Sequence, residues 1–210
     1  MVKRTYPGES PGDSGPGSLI QYLNGIQVDR LIEAFEMWHE AAPSEYTRRV
    51  RGRYLLAFLF LRYTGARIGE ILRIDDSSDI DFLNGEVRLA TGVVGESRHI
   101  LRMVPIPSDI VGRVVAYVRT FPQMRGKVFA LDQGNFRREF YRRANEADLP
   151  RQLAHPHILR HTRAIEMLRA GVPLTTVQDI LGHMLSSTTT IYLQRSEVEI
   201  RVILSEKGLL

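Results

Sequence analysis

The chain has 210 residues, 43% of them hydrophobic and 25% charged, which suits a globular protein with room for one sizeable domain. It contains no cysteine, so disulfides, thiol catalysis and cysteine-bound zinc or iron–sulfur centres are excluded. The net charge is only +4, but of 28 basic residues just three are lysines (Lys3, Lys127 and Lys207), leaving 25 arginines.

Residues 1–18 are rich in Gly, Pro and Ser and read as a flexible arm ahead of a single domain over 19–210. No apolar run approaches the roughly 20 residues of a membrane span. The start of the chain lacks a signal-type hydrophobic region, so a cytoplasmic protein is expected. From Asp29 to Glu40, "DRLIEAFEMWHE" spaces Leu31, Phe35 and Trp38 as an amphipathic helix with Asp29 as its cap. Ser44 opens a second, strongly apolar helix to about Tyr63, with Gly65 as its C-cap, and "ARIGEILRI" begins a short helix carrying Arg67.

The middle of the chain changes character. "GEVRLATG" (85–92) and "SRHILRMVPIP" (97–107) read as two strands of a hairpin. Ser108 then caps a helix over "DIVGRVVAYVRTF". Beyond the short run "KVFAL", helical segments are expected near 134–148, 157–170, 174–182, 187–195 and 197–205. The fold class predicted is mainly α with a small antiparallel β-meander.

"HPHILRHTRA" (155–164) concentrates the chemistry. On a helix starting near Pro156, His157, Arg160, His161 and Ala164 fall at i, i+3, i+4 and i+7 and share a face, with Ile158, Ile165 and Leu168 on the other. The helix N-terminus beside them favours an anion. Three readings are open: a phosphate grip, a metal site using His157 and His161, and a solvated polar face. The metal reading needs a third ligand, and the helix lacks the Glu that follows the first His in metalloproteases. Arginine clusters such as "RRVRGR" (48–53) and "RREFYRR" (137–143) suit an anionic partner, or equally a solvated face rich in arginine codons.

Four elements occur in order: "TGARIGEIL" (64–72), the hairpin, "HPHILRHTRA" (155–164) and "LGHMLSSTTTIYL" (181–193). Together they resemble the catalytic domain of tyrosine recombinases, the phage integrase family, over about residues 20–205. The resemblance implies that fold, double-stranded DNA as partner, and strand cleavage through a 3′-phosphotyrosyl intermediate without metal or other cofactor. Carried onto this sequence, it makes Arg67 and Arg160 the cationic clamp on the scissile phosphate, His157 and His183 the donors or proton movers, and Tyr192 the nucleophile. Glu70 is expected to orient a guanidinium, and His161 to support the site. The C-terminal segment "SEVEIRVILSEKGLL" has apolar residues to bury, so self-assembly on DNA is a further expectation.

Two features depart from the family pattern. A lysine in the central hairpin ordinarily protonates the departing 5′-oxygen, but this hairpin has none; Gly92 or Val93 stands in its place, with Arg98 or Arg102 able to reach inward. The family ordinarily places a helical core-binding domain ahead of the catalytic one, where this sequence has the arm and one helix. The leading reading is a DNA-cleaving and rejoining enzyme. The alternatives are a non-catalytic DNA-binding regulator on the same fold and, less in keeping with the arginines, a protein-binding domain.

Overall fold

The computed structural model describes residues 21–92 and 99–182. The arm at 1–18, the expected helices near 187–195 and 197–205, and the positions of His183 and Tyr192 lie outside the described residues.

Helix α1 (Gly25–Glu40) starts four residues earlier than its hydrophobic spacing suggests. The reason is local: Asn24 accepts from the Gln27 amide at 2.8 Å while Gln27 Oε1 accepts from the Asn24 amide at 3.0 Å. This reciprocal box caps the helix, and Asp29 lies inside it. Helix α2 (Glu45–Thr64) is capped by Ser44 and stopped by Gly65, whose φ of 66° is left-handed. Its stretch from Leu55 to Thr64 is buried on every side, which makes α2 the central rod of the core. Phe58 stacks on Phe35 of α1, with ring centroids 4.0 Å apart.

A four-residue helix, α3 (Ile68–Ile71), follows Arg67. The sheet then runs β1 (Ile80–Asp81), β2 (Glu86–Gly92) and β3 (His99–Pro105), antiparallel and in sequence order. Strand β1 is an addition to the hairpin read from sequence; at two residues it is too short to show a period-two pattern. The register pairs Val87 with Val104 and Leu89 with Arg102. Alternation therefore puts Arg102 on the inner face with buried Val87, Leu89 and Val104, while Leu101 and Met103 face out.

Helix α4 (Ser108–Thr120) begins without a side-chain cap: Pro107 holds the N-cap position and Ser108 is already the first helical residue. Helices α5 (Gln133–Glu146), α6 (Ile158–Arg169) and α7 (Leu174–Leu181) complete the described fold. Phe136 and Phe140 of α5 are fully buried, and Phe140 packs against Phe35 and Phe58. Helix α6 is anchored at both ends. Ile158 and Leu159 join the main core, whereas Ala164 and Met167 form a smaller cluster with Val177 and Leu181 of α7. Its expected apolar stripe is thus corrected in part: Ile158 is fully buried, Ile165 and Leu168 only half-buried, and Arg160 and Ala164 of the supposed polar face are buried.

Many of the clustered arginines serve the fold. Arg53 donates to the carbonyls of Lys127, Val128 and Ala130. Arg51 and Arg143 lie over the Trp38 ring at 5.0 and 4.8 Å, and Arg51 also donates to the Trp38 carbonyl.

Candidate active site

The turn "TGAR" is built by its own side chains. Thr64 Oγ1 donates to the Phe60 carbonyl at 2.6 Å and accepts from the Ala66 amide at 3.1 Å. Gly65 supplies the left-handed step, and an added Cβ there would stand 2.6 Å from Leu181 Cδ2. Arg67 then sits at the N-cap of α3 with its amide donating to Glu70 Oε2 at 2.7 Å. Its side chain is exposed and makes no ion pair among the described residues.

Helix α6 brings the second arginine to the same turn. Arg160 is 3% exposed, and its Nη1 donates to the Gly65 carbonyl at 2.9 Å, across 95 residues of sequence. His157, at the N-cap of α6, is exposed, and its ring meets that of His161 edge-on, with centroids 4.6 Å apart and planes at 87°. The two histidines of the predicted α6 face thus pack on each other. Among the described residues no group of three or more His, Asp or Glu side chains has a metal-holding arrangement.

One expectation needs correction. The first amides of α6 are not open: those of Ile158, Leu159 and Arg160 donate to the carbonyls three residues back, those of His155, Pro156 and His157. Side chains, rather than helix-end amides, are what α6 offers an anion.

A cleft of about 660 Å³ opens beside this turn. Arg67, Arg73, His155 and His157 line it, together with Arg137 and Tyr141 of α5. Sequence reading named the α5 run as an arginine cluster suited to an anion but did not place Arg137 or Tyr141 at the site. The signal was present in "RREFYRR", where Arg137 and Tyr141 lie four apart on one helical face. Glu70 also borders the cleft, but it does not orient the Arg67 side chain as a partner would. Both its oxygens receive the guanidinium of Arg102, at 2.9 and 3.1 Å. Arg102 does reach inward, as one sequence option held, yet it is occupied by this pair and is no open proton donor. Arg98, His183 and Tyr192 lie outside the described residues.

Positive charge dominates around the histidines of the site. His157 is pushed down to about 4, first by partial withdrawal from water and then by the charges of His161, Arg160, His155 and Arg67. His155 and His161 are also lowered, with desolvation leading in both. A group whose folded value lies below its unfolded one, here 6.5, binds fewer protons when folded. The stability it lends is complete above that window and is lost as pH falls through it toward 4. The melting temperature of the free protein is thus expected to drop between about pH 7 and pH 4.5, and less steeply in His157→Gln. Parallel curves for the two proteins would refute this assignment.

The sequence model of the phage integrase family matches residues 21–199. The chain belongs to that family. A tyrosine recombinase of Thermosipho africanus is 30% identical over 185 residues, which is 85% of this chain and 58% of that protein. Among solved structures, XerA recombinase superposes with a TM-score of 0.68 at 24% identity, covering 97% of this chain and 66% of that one. The catalytic domain of bacteriophage HP1 integrase gives 0.57 at 21% identity, covering 87% of this chain and 94% of the domain. The fold is therefore that of an integrase catalytic domain, and the chain spans a little under three fifths of the curated relative's length.

Proposed function

We propose that this chain binds double-stranded DNA and cleaves and rejoins it by tyrosine recombinase chemistry. The observation that carries the reading is the joining of two arginines at one turn. Arg160 is bonded to the carbonyl of Gly65, and Arg67 stands two residues further on at the edge of an arginine- and histidine-lined cleft. A phosphodiester in the cleft would meet the Arg67 guanidinium, with Arg160 held against the same turn; cationic donors are what a transition state with charge on its nonbridging oxygens requires where no metal takes part.

In this mechanism the Tyr192 phenol oxygen attacks phosphorus and the P–O5′ bond breaks, leaving a 3′-phosphotyrosyl link and a 5′-hydroxyl. Arg67 and Arg160 take the developing charge. His157, neutral in the free protein, donates a hydrogen bond from its ring, and a bound phosphate raises its affinity for a proton. His183 supplies a further donor. The phenol gives its proton to the neutral histidines, His157 or His183, and the departing 5′-oxygen takes one back from them, directly or through water. Arg102 is not the donor, since Glu70 holds it and its guanidinium is a weak acid in any case. Attack by the 5′-hydroxyl on the phosphotyrosine reverses the sequence and reseals the strand. The single domain over 19–210 and assembly through the C-terminal segment belong to the same proposal.

The test is capture of genomic fragments, with bound DNA divided into detergent-resistant and salt-released pools. A sequence enriched in the resistant pool, and lost from it in Tyr192→Phe, is the expected result. Specific fragments found only in the salt-released pool, and unchanged by that substitution, would instead make the chain a DNA-binding regulator.

A further inference from the structure

Glu70 is 4% exposed, the one carboxylate among the residues that line a cleft also bordered by Arg67, Arg73 and Arg137, and lies one turn from Arg67. Left to itself, a carboxylate there would compete with a DNA phosphate for the nearest guanidinium. Arg102 prevents this. Its Nη1 and Nη2 engage both Glu70 oxygens, and its Nε donates to the Ile180 carbonyl at 2.8 Å. Glu70 Oε2 accepts the Arg67 backbone amide as well. One ion pair therefore ties the inner face of β3, the turn bearing Arg67 and the last turn of α7, which ends two residues before His183 in the sequence.

Resting on the function proposed above, we infer that Glu70 and Arg102 are a positioning pair. Arg102 occupies the Glu70 carboxylate so that the Arg67 side chain stays available to phosphate, and the pair fixes the Arg67 backbone against the hairpin and α7. The hairpin arginine thus acts on the site through Arg67. Neither partner acts as a proton donor. The geometry favours arginine over lysine at position 102, because one planar fork satisfies two carboxylate oxygens and a carbonyl at once.

The test is a mutant cycle in the full 210-residue chain, with single-turnover adduct formation measured at saturating duplex and well below each variant's melting temperature. Arg102→Met is expected to slow adduct formation by about 10²-fold, the scale of a small misplacement of a reacting group. In an Arg67→Lys background the same change should cost less than about 3-fold, because the residue it acts through is already impaired. Arg102→Met/Glu70→Gln removes the competing carboxylate and keeps a neutral, foldable pair; it should recover to within about 5-fold of the parent. Equal losses in both Arg67 backgrounds, or no recovery in the double variant, would overturn the pair's role. If the parent forms no adduct, the same cycle is read from duplex Kd. Non-additivity there keeps this inference while the cleavage reading falls; additivity, or no duplex binding, overturns both.

Discussion

Arg160→Ala is expected to lower covalent adduct formation by about 10³-fold or more. Removing a single preorganised donor from such a site costs about 10² to 10³, and this substitution removes two things together. It deletes a clamp charge, and it releases the Gly65 carbonyl that Arg160 holds at 2.9 Å. The "TGAR" turn then loses its tie to α6, so Arg67 and His157 no longer share a fixed frame. Arg160→Lys keeps the charge but loses the fork, and is expected to retain a small fraction of activity. Circular dichroism melts run beside the cleavage assay separate unfolding from lost chemistry. Adduct yields within tenfold of the parent in a folded Arg160→Ala protein would sink the clamp assignment.

Glu166→Ala should be strongly destabilising. Arg62 of α2 is 3% exposed, and both its Nη groups meet the Glu166 carboxylate of α6, at 2.7 and 2.5 Å. Arg163 lies 3.5 Å from the same carboxylate. Without Glu166, two neighbouring guanidiniums face each other with no anion, and one is almost entirely out of water. Breaking a buried pair from one side costs about 3–5 kcal/mol. Glu166 is itself 28% exposed, so about 3 kcal/mol is expected, a fall of about 6–12 °C in Tm for a domain of this size. Arg62→Met/Glu166→Met should lose less, because it buries no lone charge. A loss below about 2 °C in Glu166→Ala would show that the pair is solvated rather than buried.

The arginines show where sequence reading reached its limit. Composition left open whether 25 guanidiniums served a partner or the surface, and neither answer covers them. Arg53, Arg62, Arg102 and Arg143 are engaged within the protein, while Arg67, Arg73 and Arg137 line the cleft. Cluster membership did not distinguish them, since Arg137 and Arg143 belong to one run. Likewise, helical spacing placed His157, Arg160 and His161 together correctly but could not tell that Arg160 is buried. Burial depends on what packs against a face, and that was Gly65, ninety-five residues away.

What the sequence determined by itself was local and ordered. Ser44 and Gly65 bounded α2, because a hydroxyl cap and a left-handed glycine act on adjacent backbone alone. The order of "TGARIGE", the hairpin, "HILRHTR" and "LGH" pointed to the family, since spacing along a chain survives without coordinates. Long-range partnership was decided only in three dimensions. Glu70 pairs with Arg102 across 32 residues, and Arg102 reaches Ile180 across 78. A charged side chain does not encode which opposite charge it will meet. The β2–β3 register and the packing of α7 against β3 bring these groups within hydrogen-bond reach.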